Sequence, residues 1–305
     1  MNAWWQRWVA LWDRREPPTQ LALARIGVGL VACADLVYSR AAGLAGVLWS
    51  PYPAGYATGR EAWLGLGGGA WWTIAVIASA AIALGAATRV ACIAYAIASL
   101  ELARLAPASE SALDVLYRIV PIVLALSRCN ARWSIDAAIA RALGRPPPAE
   151  IPAWPRYLLM LQLLWVYFSA GINKTGAEWG PLGGFTALAD AAADPQAARF
   201  GPEWAQALLP LTRVATLVAI AFELGAPLYL AFLYYADTAD RPGRVRRLCN
   251  RLHLRWIWLA LGIAFELGLA AVLRLGDFPY GMLALYPVLL LPQRARVTNV
   301  AASAT

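Results

Sequence analysis

Lys174 is the only lysine among the 26 lysines and arginines of this chain. Its amine offers chemistry that the arginines do not. A guanidinium keeps its proton in any protein environment, whereas a lysine stripped of water can act as base or nucleophile. The setting is Tyr167-Phe168-Ser169-Ala170-Gly171-Ile172-Asn173-Lys174-Thr175-Gly176-Ala177-Glu178-Trp179, where an apolar run ends. Two roles fit that position. One is a snorkelling anchor where a membrane helix meets water. The other is a general base at the mouth of an apolar pocket, with Tyr167, Gly171, Glu178 and Trp179 as its lining.

Ionisable residues within apolar segments are costly and often functional. Here they are Arg25, Asp35, Glu101, Arg104, Asp114, Arg118, Glu223 and Glu266. Counting about 1.5 Å per helical residue, Glu223 and Glu266 fall near the midplane of their segments and Arg25 near an inner edge. Asp35, Glu101, Asp114, Arg118 and Asn173 share the outer half with Lys174. They are expected to form one polar cluster open to the outside, with a Lys174–Asp35 ion pair allowed by height. Arg25, Glu223 and Glu266 are expected to be structural, paired to fix helix packing, for example Arg25 reaching toward Glu223. No metal site is expected, because His253 is the single histidine and no Cys-x-x-Cys occurs. Nor is there a glycine-rich phosphate loop or a nucleophile elbow.

The elements that must position these residues are helices in lipid. Hydrophobic residues make up 60% of the chain and charged residues 14%, against about 25% charged in soluble domains. The fold class expected is an all-α, polytopic membrane helix bundle of about eight spans, near 21–39, 70–87, 90–105, 113–127, 155–174, 212–234, 254–273 and 278–292. Six or seven spans remain possible, since 90–105 and 113–127 are short and charged. With the N-terminus inside, 17 of the basic residues fall in inside segments and eight outside, Arg25 lying within a span. The outside set includes Arg60 and the inside set Arg294 and Arg296. That asymmetry puts both termini inside, in a multi-pass protein of the cell membrane.

Residues 1–18 read as an interfacial amphipathic helix, with Trp4, Trp5, Trp8, Leu11 and Trp12 on one face and Arg7 elsewhere, ended by Pro17-Pro18. Residues 19–295 form the membrane domain and 296–305 a short tail. No cleavable signal peptide is expected before the first span. The basic loop Arg241–Arg255 suits anionic lipid headgroups, and nothing reads as a nucleic-acid patch. No cysteine lies outside, so no structural disulfide is expected. The tetrapeptide Phe-Glu-Leu-Gly occurs twice, at 222–225 and 265–268.

Three patterns resemble the membrane domain shared by vitamin K-dependent gamma-carboxylase and its bacterial relatives, the horizontally transferred transmembrane (HTTM) family. They are Leu23-Ala-Arg25-Ile-Gly27-Val-Gly29 with Asp35; Arg132-Trp133-Ser134-Ile-Asp136; and Tyr167-Phe-x-Ala-Gly171-x-x-Lys174 followed by Glu178-Trp179 and Gly184. Phe222-Glu223 with Pro227, and His253, add to them. The resemblance implies that Lys174 matches the lysine that deprotonates reduced vitamin K, so a naphthoquinol is the implied cofactor. Asn173 stands where a second lysine is expected, and Ser109-Glu-Ser-Ala-Leu-Asp114 lacks the histidine of that region. Three functions follow as alternatives. The chain is a quinol-oxidising, carboxylase-like enzyme, a membrane partner or maturation factor of an exported or membrane protein, or a transporter.

Overall fold

Each apolar segment named above is helical in the computed structural model, which describes residues 3–50 and 63–292. Arg60, Arg294, Arg296 and the 296–305 tail lie outside the described residues, as do the side chains of Trp4, Arg7 and Leu11. Helix α1 covers Ala3–Trp12, with Trp5 and Trp8 exposed. It stops short of Pro17 because the chain straightens into β1, Arg15–Glu16, which pairs antiparallel with β2, Ile151–Pro152. This small ladder sets the starts of two long helices side by side, α2 (Thr19–Ala41) and α8 (Trp154–Asn173). A buried ion pair reinforces it. Arg156 Nε donates to Glu16 Oε1 at 2.7 Å, and its Nη1 to the Val288 carbonyl at 3.0 Å. Arg156 is among the largest fully buried side chains of the described residues.

After α2 comes the short α3 (Leu44–Leu48), then α4 (Gly68–Leu84), α5 (Thr88–Leu105) and α6 (Ala112–Leu126), packed in succession. Gly29 lets α2 and α4 touch backbone to backbone, since a Cβ there would lie 2.4 Å from the Ala83 nitrogen. The remaining helices are α7 (Ile135–Ala142), α9 (Ala187–Ala193), α10 (Pro202–Ala207), α11 (Leu209–Leu224), α12 (Leu228–Asp237), α13 (Arg244–Arg251), α14 (Leu254–Val272) and α15 (Phe278–Leu285). By length and apolarity, α2 and α14 each suffice to cross a membrane among the described residues, and α11 with α12 makes a third. Helix α4 and the stretch Phe278–Leu289 are apolar but shorter.

The segment expected as one span over 212–234 is two helices bent by 65°. The break falls at Gly225-Ala226-Pro227, where proline brings no backbone N–H to continue the ladder.

Arg25 does not reach Glu223. Its guanidinium is fully buried and donates from Nη1 to the carbonyls of Ile82 (2.6 Å) and Ala83 (2.9 Å), and from Nη2 to that of Trp133 (2.6 Å). The reason is local. Carbonyls in the last turn of α4 have spare acceptor capacity, although that of Ile82 also accepts from Gly85 N, and they lie closer to Arg25 than any carboxylate does. The Arg132–Asp136 motif completes the same knot. Ser134 Oγ accepts from Ala137 N at the start of α7. The Asp136 carboxylate accepts from Ala87 N (2.7 Å), Thr88 N (3.0 Å), Thr88 Oγ1 (2.8 Å) and Asn130 Nδ2 (2.9 Å), capping α5.

Burial alone would raise the Asp136 carboxyl, but the hydrogen bonds from Thr88, Asn130 and Ala87 outweigh it and hold the group below the usual range. Its stabilising contribution is therefore complete above the unfolded-state value and is lost as pH falls through the folded one. Asp136→Ala is expected to lower stability by about 1–2 kcal/mol, as loss of a helix cap does. Melting temperatures recorded from pH 7 down to 3 check this, because the variant should lose part of the acid-side decline seen in the parent protein.

Candidate functional site

Helix α8 presents Tyr167, Gly171 and Lys174 at i, i+4 and i+7, one face of an α-helix. That face meets α11 and α14. Gly171 is where α11 approaches, since a Cβ there would lie 3.1 Å from the Leu224 nitrogen and from Glu223 Cβ. The close approach carries the α11 break to the end of α8. There Lys174 Nζ donates to both carboxylate oxygens of Glu223, in an ion pair whose side chains are 20% and 3% exposed. The same amine lies 4.7 Å from the centre of the Trp179 ring.

Two turns deeper, the Tyr167 hydroxyl donates to Glu266 Oε1 at 2.5 Å and lies 3.0 Å from the Tyr286 hydroxyl. Glu266 is fully buried, and its Oε2 has no partner among the described residues. The two Phe-Glu-Leu-Gly tetrapeptides thus converge on α8. Each supplies a carboxyl to that face, and the Phe222 and Phe265 rings pack 5.4 Å apart with Tyr167 edge-on to both.

Between α8, α11 and α14 lies a cavity of about 540 Å3, within the range of small-molecule sites. Its walls are mainly apolar, including Val166, Phe222, Phe265 and Leu269, with Tyr167, Lys174, Trp179 and Glu223 among them. The segment between α8 and α11 folds over it, contributing Leu188 and Trp204. It is pinned by a bond from Leu188 N to Thr216 Oγ1 (3.1 Å) and by pairing of Ala198 with Leu273 at the end of α14. Chemically, the arrangement is an apolar chamber with one charged amine–carboxylate pair in its wall.

The other expected members of a Lys174 cluster lie elsewhere. Asp35 and Asp114 line a second cavity, so the Lys174–Asp35 pair does not form. Asp35 stays with α2, whereas the break in α11 delivers Glu223 to the lysine. Glu101 accepts from Arg104 Nη1 (2.7 Å) and from the Trp63 backbone N–H (3.0 Å). Arg118 pairs with Glu110. Asn173 is exposed and donates to the Ser169 carbonyl at 2.8 Å. Gly171 and Glu178 are both absent from the cavity lining; Gly171 packs against α11 instead, and the Glu178 carboxylate lies over Gly176. Glu223 as partner of Lys174, together with Tyr286 and Asp277, was missed from sequence. The duplicated tetrapeptide was the signal that could have found the first.

Comparison with known proteins adds one match. The family model of the HTTM domain matches residues 13–233, a stretch that contains Arg25, the Arg132–Asp136 motif, Lys174 and Glu223. No solved structure matches the chain.

Proposed function

The chain belongs to the HTTM domain family and is a membrane protein, and from that premise we propose that it binds a lipid-soluble quinol in the Lys174 cavity and takes a proton from it. The observation that carries this reading is the Lys174–Glu223 pair set in the wall of an otherwise apolar chamber. The chamber fits a fused-ring ligand. Phe222, Phe265 and Leu269 offer apolar surface to a ring, and the ion pair offers a charged partner to a hydroxyl. A reduced naphthoquinol, when bound, supplies the acidic hydroxyl and the reducing electrons.

The residues divide the work as follows. An ammonium has no lone pair with which to accept a proton, so Lys174 is a base only in concert with Glu223. Handing its own proton to the carboxylate frees the amine, which then receives the proton of the incoming hydroxyl. The positive charge left on Lys174 lies against the Trp179 ring and beside the developing anion. Around these residues the proposal places about eight spans with both termini inside, in the cell membrane, so that the cavity opens at the outer face.

Purified protein in liposomes, supplied with reduced naphthoquinone, oxygen and bicarbonate, is expected to quench tryptophan fluorescence on binding and to form quinone epoxide above the protein-free rate. Neither quenching nor epoxide with any quinol tried would remove the reading. A second reading, transport, is favoured by the helix break beside Glu223, since broken helices mark transporter sites. In the same liposomes it would show as quinol crossing the bilayer unchanged.

A further inference from the structure

The second cavity has a volume of about 300 Å3 and lies between α2, α3, α5, the start of α6 and residues 275–277. It neighbours the first. Leu275, Gly276 and Asp277 line it, while Leu273 and Phe278 line the Lys174 cavity, so one short segment is shared by both walls. Four carboxylic acids face it, Asp35, Glu110, Asp114 and Asp277, in a chain of net charge +8. Two of the four are engaged. Glu110 pairs with Arg118, and Asp114 accepts from the Ser111 backbone N–H at 2.7 Å. Among the described residues, neither Asp35 nor Asp277 has an ion pair or a hydrogen bond to another residue; the Asp277 carboxyl meets only its own backbone N–H. Both are half-buried, and like charges facing each other in such a place repel.

A second, independent observation points to a ligand. Tyr95 is 7% exposed and lines the cavity, and its hydroxyl has no hydrogen-bond partner among the described residues. Nor is that oxygen among the fully sealed polar atoms, so it is reached from the cavity. A phenol in so dry a setting ordinarily finds a partner. The acids do not gather as metal ligands do, since no group of three or more His, Cys, Asp or Glu suited to a metal ion occurs among the described residues. A ligand that satisfies separated acids and a phenol oxygen needs several N–H donors or a diffuse positive charge. The Trp49 and Tyr95 rings that share the lining suit such a charge.

We propose that this cavity binds an ammonium-bearing organic cation, held between Asp35 and Asp277 with the Tyr95 hydroxyl as acceptor. The site stands on its own geometry and does not depend on the quinol reading. It also disfavours acidic compounds, because a carboxylate ligand would enter among acids.

The test is calorimetric titration of ethanolamine into the protein held in phosphatidylglycerol nanodiscs, with ethylene glycol as the uncharged control. Saturable ethanolamine binding is expected, at least about tenfold weaker in Asp277→Asn and Asp35→Asn and several-fold weaker in Tyr95→Phe, in keeping with loss of hydrogen bonds to charged groups. The Asp→Asn variants remove repulsion rather than a partner, so their melting temperatures should hold or rise and folding stays intact. Repeating the titration in nanodiscs containing phosphatidylethanolamine separates the two sources of the group. Lost ethanolamine binding identifies a lipid headgroup as the occupant, and retained binding identifies a soluble amine. Absent saturable binding, equal binding of ethylene glycol, or unchanged affinity in Asp277→Asn and Asp35→Asn would each overturn the proposal.

Discussion

Lys174→Arg is expected to fold with near-parental stability and to lose quinol-dependent turnover by at least about 100-fold, the lower end of what a positioned general base contributes. Arginine keeps the charge, can still pair with Glu223, and has the length to lie near Trp179. What it cannot do is release its proton to the carboxylate. Glu223→Gln should give a similar loss from the other side of the pair, because the amide cannot take the proton. Lys174→Ala provides the structural contrast. It strands a glutamate side chain that is 3% exposed, and removing one partner of a buried pair costs about 3–5 kcal/mol. Melting temperatures and initial rates on the three variants separate base from anchor. Full turnover in Lys174→Arg would leave the lysine as an anchor alone.

Arg25→Leu is expected to be the most damaging single change in the chain. Three backbone carbonyls, at Ile82, Ala83 and Trp133, would lose the guanidinium as donor, and the fully buried Arg25 site would be left without it. Hydrogen bonds to charged groups are worth about 1.5–3 kcal/mol each. Even with strong non-additivity, a loss of at least about 4 kcal/mol is expected. Arg25→Lys should recover only part of it, since one ammonium cannot reproduce the fork that bridges α4 to the Trp133 segment. The yield of monodisperse protein and its melting temperature in detergent are the readouts. Arg25 and Asp136 hold the same corner, so the double variant Arg25→Lys, Asp136→Ala should cost less than the two single losses combined. A parent-like Arg25→Leu would remove the knot from the account of the fold.

Much of this architecture was legible because helices in lipid announce themselves through composition. The positions of α2, α4, α5, α6, α8, α14 and α15 followed from apolar runs. The i, i+4, i+7 spacing of Tyr167, Gly171 and Lys174 marked one face of α8 as special. Legibility failed where partners come from distant parts of the chain. Arg25 was matched to a carboxylate because charge is visible in sequence, whereas the backbone carbonyls it binds are invisible there. One polar cluster was expected where there are two cavities, since depth along a helix says nothing about which side of the bundle a residue faces.

The sequence by itself determined that this is a helical membrane protein of the HTTM family and that Lys174 is its chemically distinctive cation. Both rest on local properties, apolarity and side-chain type, that each residue carries without neighbours. Only the tertiary structure decided that Glu223 is the partner, that Tyr167 and Glu266 lie beneath it, and that Asp35 belongs with Asp277. The first of these pairings arises from the break at Gly225–Pro227 and the missing side chain at Gly171. Through these, backbone geometry brings residues 49 positions apart into contact.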